Sequence, residues 1–136
     1  MSDLKQVIVM RKDLNMRKGK MVGQGGHGVM DAMLLNSVHD PVRKTISIDV
    51  SDPAIENWMF KQEDGIPLRK KIVLGVDDES QLLKLHREAI QAKLRCALVK
   101  DIGQTEFRGI PTHTCLVIGP HWPKDVDPLV RHLSLL

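Results

Sequence analysis

Two short stretches hold the residue types that could do chemistry. The first is Lys18-Gly19-Lys20, followed by Gln24 and His27. Lys20 falls at the start of a helical pattern. A helix start carries free N–H groups and a partial positive charge, so a lysine there suits an anion or a developing oxyanion. Positions 20, 24 and 27 are four and three apart, which puts Lys20, Gln24 and His27 on one helix face. The second stretch is Asp101-Ile102-Gly103-Gln104-Thr105, directly after an apolar strand. Ligands in open α/β sheets bind at the carboxyl ends of strands. An Asp there can orient a water or accept its proton. Thr105 and Thr114 add neutral donors for a carbonyl or a ribose hydroxyl. Taken alone, the first stretch reads more readily as a surface lysine and the second as an Asp-Gly turn.

A third pattern, Gly23-Gln24-Gly25-Gly26-His27-Gly28, matches the dinucleotide fingerprint letter for letter. That fingerprint needs its first glycine at the tip of the first strand. Here the strand ends near Met10 and the polar-rich residues 11–22 intervene. The glycines therefore read as places where a helix approaches something closely, since each costs about 1 kcal/mol relative to Ala in a helix.

The elements that must position these residues follow from periodicity. Val7-Ile8-Val9-Met10 reads as a buried strand. A helix is expected from about Lys20 to Ser37, ended by His39-Asp40-Pro41. Thr45–Val50 alternates like a strand, and Asp52-Pro53 reads as the cap and first turn of a helix to Phe60. Gly65-Ile66-Pro67 reads as a loop. Lys71–Val76 is a strand, Asp78 with Gln81 is close to a capping box, and a helix runs to near Lys93. Cys96–Val99 completes a βαβ unit with two parallel strands and a right-handed crossover. Thr114–Gly119 is a further strand, in which His113-Thr114-Cys115 reads as simple alternation. A closing helix holds Val126, Leu129, Val130 and Leu133. The expectation is a single α/β domain over residues 1–136.

Composition bounds the function. The 136 residues carry 20 basic and 17 acidic side chains, enough chain for one core. Residues 1–20 hold Lys5, Arg11, Lys12, Arg17, Lys18 and Lys20 against Asp3 and Asp13, a local +4, and the rest of the chain sums to −1. Concentrated charge of this kind suits a polyanion such as RNA. The four aromatics, Trp58, Phe60, Phe107 and Trp122, argue against a binder that stacks a row of bases. Cys96 and Cys115 are too few for a disulfide scaffold, and no histidine stands at zinc spacing from them. No apolar run approaches the length of a membrane span, and no signal-peptide order is present, so a cytoplasmic protein without a membrane partner is expected.

Taken in order, Val9-Met10-Arg11-Lys12-Asp13-Leu14-Asn15-Met16-Arg17-Lys18-Gly19-Lys20 with Gln24 and His27 resembles the opening of the archaeal/eukaryotic-type (type 2) peptidyl-tRNA hydrolases. The resemblance continues in Lys100-Asp101-Ile102-Gly103-Gln104-Thr105 and Thr114-Cys115-Leu116-Val117-Ile118-Gly119-Pro120. It ends in His132-Leu133-Ser134-Leu135-Leu136, and covers about residues 6–30 and 70–136. It implies hydrolysis of the ester joining a peptide to the 3′ ribose of tRNA, without metal or cofactor. It also implies a small mixed four-stranded sheet flanked by helices on both faces (a three-layer α/β/α fold), forming a homodimer. By motif, Lys20, Asp101, Thr105 and Thr114 become the catalytic candidates. Arg11, Lys12, Lys18, Gln24, His27 and Gln104 become the substrate-binding candidates. Gly23 and Gly28 replace small alanines of the family, and Gln104 stands where the family commonly has Arg. The loop before Thr114 is one residue longer, so Thr112 competes with Thr114. Residues 40–69 match poorly.

The expected mechanism is attack by water without an acyl-enzyme, because the matched motifs put no Cys or Ser beside a general base. Asp101 serves as base or as orienter of that water, Lys20 stabilises the oxyanion or a phosphate, and Thr105 and Thr114 hold the carbonyl and ribose. The basic segment 11–20 binds the tRNA backbone. A catalytically silent RNA-binding module on the same fold and a dinucleotide-dependent enzyme are the rival readings.

Overall fold

The structure is a computed structural model that describes residues 4–136. In chain order the elements are β1 (Lys5–Arg11), α1 (Lys18–Leu34), β2 (Val38–Asp40), β3 (Thr45–Ser47), α2 (Pro53–Phe60), β4 (Gln62–Glu63) and β5 (Ile66–Pro67). Then follow β6 (Lys71–Val76), α3 (Glu79–Gln91), β7 (Cys96–Asp101), β8 (Thr112–His121), α4 (Pro123–Val130) and β9 (Ser134–Leu135).

The main sheet has the order β7-β8-β1-β6-β9. β1 pairs parallel with β6 and antiparallel with β8, and β7 and β9 are antiparallel to their neighbours. The sheet is mixed and has five strands where four were expected. The extra one is Ser134–Leu135, too short to announce itself by alternation, which pairs with Leu74 and Gly75. β6 and β7 run the same way, as the βαβ pattern requires, yet β1 and β8 lie between them.

β1 is continuously apolar from Val7 to Met10 because both of its faces are covered there. Val7 and Val9 join Leu82, Leu85, Val126 and Val130 of α3 and α4 in one core cluster. Ile8 and Met10 join Ala32, Val99, Cys115 and Val117 in another, under α1. A third cluster gathers Leu4, Met33, Ala54, Ile55 and Trp58 around α2.

Local chemistry explains the element starts. Asp52 accepts from the Ala54 N–H with Pro53 in the first turn, and Asp78 accepts from the Gln81 N–H. Residues 38–67 depart most from expectation. α1 stops at Leu34, and His39-Asp40 belongs to a small hairpin with Thr45–Ser47. The expected strand to Val50 stops at Ser47. Gly65 sits in a two-residue turn between β4 and β5, with Asp64 and Gly65 both at positive φ, the conformation this kind of hairpin turn requires.

Candidate active site

α1 lies over β8, β7 and β1, and the glycines divide by what they face. A Cβ at Gly28 would overlap Val117 Cγ2 and stand 3.2 Å from Val99 Cγ2, and Gly25 faces Ile8. Gly23 and Gly26 face open space. The close approach expected of the glycine-rich helix is therefore made by Gly25 and Gly28 alone. The whole G-x-G-x-x-G run lies inside α1, away from any strand tip, which removes the geometric basis of a dinucleotide site.

That approach brings Gln24 against β8. Gln24 is buried, and its Oε1 accepts from the Thr114 hydroxyl at 2.7 Å. Its Nε2 donates to Asp101 Oδ1 at 3.0 Å. The neighbouring Cys115 thiol also donates to the Gln24 carbonyl, at 3.4 Å. Adjacent residues of a regular strand point to opposite faces. Here the β7–β8 register slips by one residue between Val99 and Lys100, so Thr114 has no opposite partner and turns with Cys115 toward α1. The alternation expected of His113-Thr114-Cys115 is broken at this point. The same geometry separates the two threonine candidates. Thr112 donates to the Ile110 carbonyl within its own loop, and Thr114 joins the network.

Asp101 ends β7, and its carboxylate receives three contacts. Lys20 Nζ stands 3.1 Å from Oδ1, Gln24 shares that oxygen, and the Gly103 N–H donates to Oδ2 at 2.8 Å. Gly103 has φ +88°, and a Cβ there would run into the Ile110 backbone, so this return of the chain needs glycine. Burial alone would raise the Asp101 pKa. The hydrogen bonds from Lys20, Gly103 and Gln24 and the Lys20 charge outweigh it and hold the carboxyl below its usual range.

Lys20 completes the group. Its Nζ donates to Thr105 Oγ1 at 2.8 Å and lies 5.3 Å from the centroid of the Phe107 ring. Its side chain keeps 15% of its surface open and that of Asp101 11%, so both remain reachable from solvent. Glu106 of the same loop accepts from the Arg17 N–H at the start of α1.

The structure thus joins Lys20, Gln24, Asp101, Thr105 and Thr114. His27 and Lys18 are exposed on α1, and Gln104 is exposed beside Thr105, without a contact into the network. The expectation that Thr114 holds substrate does not fit its complete burial, and it reaches Asp101 only through Gln24. Arg11 is also buried. It clamps Asp13 (2.7 Å), Glu79 (3.3 Å) and the His113 carbonyl (3.0 Å), tying β1 to α3 and β8. Lys12 pairs with Asp77 at 3.0 Å. Sequence reasoning missed Gly103 as the donor to Asp101 and Phe107 as the ring beside Lys20. The only signal was the scarcity of aromatics, which makes one in a candidate loop conspicuous. The Cys115 thiol is pushed up to about 11 by burial, so it stays protonated and offers no nucleophile at neutral pH. Among the described residues no cluster of His, Cys, Asp and Glu is placed to hold a metal ion.

A family profile described as peptidyl-tRNA hydrolase PTH2 matches residues 4–136. The chain belongs to the peptidyl-tRNA hydrolase PTH2 family. A relative named peptidyl-tRNA hydrolase from Methanocaldococcus jannaschii is 34% identical over 133 residues, covering 98% of this chain and all of the relative. One of the same name from Methanopyrus kandleri is 34% identical over 97% of each chain. A probable peptidyl-tRNA hydrolase 2 from Drosophila melanogaster is 31% identical over 98% of this chain and 62% of its own length. Among solved structures, a protein of unknown function from Agrobacterium aligns over the whole chain with a TM-score of 0.57 at 11% identity. That likeness concerns the fold. In this PTH2 family member the matched motifs converge on the Lys20–Asp101 pair.

Proposed function

We propose that this PTH2 family member is a hydrolase that cleaves the ester between a peptide and the 3′ ribose of tRNA, freeing both. The observation that carries the reading is the solvent-accessible Lys20–Asp101 pair. Thr105 bridges to it on one side and the buried Gln24–Thr114 relay fixes it on the other.

In this reading Asp101 accepts a hydrogen bond from the attacking water and aims its oxygen at the ester carbon. Its low proton affinity suits orientation, with the water's proton passing on to the departing ribose oxygen. The new C–O bond forms as the carbonyl electrons move onto oxygen. The Lys20 ammonium stabilises that oxyanion. Collapse of the intermediate breaks the bond to ribose. Thr105 accepts from Lys20 and keeps its own proton to donate to substrate. Gln24 and Thr114 act as positioning residues. Lys18, His27 and Gln104, exposed around this group, are the proposed contacts to the acceptor end.

We further take residues 1–136 as one three-layer domain, a homodimer acting in the cytoplasm. Two observations support parts of this: both sheet faces carry helices, and among the described residues no helix is long and apolar enough to cross a membrane. The test is release of peptide from peptidyl-tRNA by wild type, Lys20→Ala and Asp101→Asn. Wild-type release with loss of at least a hundredfold in each variant is expected. Full activity in either variant removes its role. tRNA binding without turnover by wild type would favour the silent module.

A further inference from the structure

The cations of residues 1–20 are largely spent inside the protein. Lys5 pairs with Asp127 (2.7 Å), Arg11 with Asp13 and Glu79, Lys12 with Asp77, and Lys20 with Asp101. Among the described residues, Arg17 and Lys18 are the two of that segment whose side chains form no ion pair. A different set of cations stands together in space. Lys61, Arg69, Lys70 and Lys71 line one groove beside α2, with Glu63 as its single carboxylate. Among the described residues none of the four pairs with an acid.

Their placement is fixed by the backbone. The Leu68 N–H donates to the Lys61 carbonyl and closes the β4–β5 hairpin onto the end of α2. Arg69 Nε donates to the Met59 carbonyl at 2.9 Å. The Lys70 carbonyl accepts from both Trp58 Nε1 (2.9 Å) and the Gln6 N–H (3.0 Å). Lys71 Nζ lies 5.2 Å from the Trp58 ring centroid and donates to the Arg69 carbonyl. Burial, and then the charge of Arg69, lower the Lys71 pKa. Like charges crowded without a counter-acid are unfavourable in the free protein, and phosphates would relieve them. The row also leads toward the catalytic group, since Lys71 and Lys18 line the adjoining groove along α1.

We propose that Lys61, Arg69, Lys70 and Lys71 form the docking surface for the phosphate backbone of the tRNA body, leading by way of Lys18 to the acceptor end at Lys20. This rests on the hydrolase reading and moves the RNA footprint from the basic N-terminal segment to residues 61–71. The Arg69 and Lys71 side chains are already held and lose little freedom on binding, and each phosphate contact adds about 0.9 to the salt slope on duplex nucleic acid.

The test uses the full chain and a triple variant, Lys61→Gln with Arg69→Gln and Lys70→Gln. Binding of deacylated tRNA is followed by fluorescence anisotropy against KCl concentration. We expect affinity at least tenfold weaker at 100 mM salt and a slope reduced by about 2 to 3. Hydrolysis of a peptidyl ester of adenosine, too short to span the grooves, should keep its kcat. An Arg69→Lys, Lys70→Arg variant, which keeps the charge, should bind as wild type, and thermal melts check that all three proteins fold. Unchanged tRNA affinity and slope in the triple variant would overturn the proposal. So would intact tRNA binding with loss of binding to phosphatidylserine vesicles. Wild type that hydrolyses neither ester, with the triple variant still weakened on tRNA, would sink the hydrolase reading and leave this surface standing.

Discussion

Replacing Thr114 by Val separates a positioning residue from a substrate contact. The substitution keeps the side-chain shape and removes one hydroxyl. That hydroxyl is wholly buried and donates to Gln24 Oε1 at 2.7 Å. Without it, Oε1 is a buried acceptor with no partner, which costs about 1–3 kcal/mol. For a chain of this length that lowers Tm by roughly 4–12 °C. The kinetic effect passes through Gln24. Its amide is one of three donors on the Asp101 carboxylate, and a hydrogen bond to a charged group is worth about 1.5–3 kcal/mol. Partial loss of that bond lowers kcat about tenfold to a hundredfold, since 1.4 kcal/mol is a factor of ten. KM should hold, because Thr114 touches no substrate. The acid limb of the pH–rate profile should move upward, because Asp101 loses a donor that favours its anion. Thr114→Ser restores the hydroxyl and should restore all three readouts. Single-turnover hydrolysis of N-acetylaminoacyl-tRNA between pH 4 and 8, with melts in parallel, reads them. Wild-type kcat in Thr114→Val, or raised KM at constant kcat, would refute the relay.

Three other outcomes follow from the same geometry. Asp101 titrates below its unfolded value of about 3.9, so its ionised form supports the fold fully above that pH and the support is lost as pH falls through the lower folded value. The pH-dependence of urea unfolding below about pH 4 should therefore weaken in Asp101→Asn, and an unchanged profile would count against the pairing. In α1, Gly23→Ala and Gly26→Ala meet open space and should gain about 0.5–1 kcal/mol in chemical denaturation. Gly28→Ala meets Val117 and should lose 1–3 kcal/mol. Cys115, buried and with its thiol at about 11, should resist alkylation at pH 7 by mass spectrometry, and Cys115→Ala should keep hydrolysis within a fewfold.

What was legible in the sequence follows what each signal measures. β1, β6 and β7 carry short apolar runs and α3 an apolar face at helical period, and they stand within a few residues of where those signals place them. The segment 38–67 was opaque because its strands are two or three residues long and largely exposed. Val38, Ile46 and Ile66 are apolar yet open to solvent, so no alternation marks a buried face. Helical spacing put Lys20, Gln24 and His27 on one face, and the family resemblance joined Lys20 to Asp101, Thr105 and Thr114. Neither could show Thr114 turning toward α1, because a bulge is one residue of slip that leaves the composition of the strand unchanged. The pairing of the cations of residues 1–20 was hidden for a related reason. The acids that neutralise it, Asp77, Glu79, Asp101 and Asp127, are remote in sequence and become neighbours only through the sheet.

The group around Asp101 depends on three local exceptions to regular structure, and each supplies one bond. Without a side chain at Gly28, α1 settles close enough to β8 for Gln24 to be buried against it. The slipped register at Thr114 then turns a hydroxyl onto Gln24 Oε1, which directs the side-chain Nε2 toward Asp101. The left-handed turn at Gly103 aims a backbone N–H at the other carboxylate oxygen. With both oxygens held from the protein side, the carboxylate has few ways to rotate. Lys20, kept at 3.1 Å by Thr105 on its far side, faces a fixed partner. A carboxylate and an ammonium free in water would gain little from pairing and would spend it on ordering two side chains. Here the ordering is done by buried neutral groups before substrate arrives, so the Lys20–Asp101 geometry can be directed at the ester.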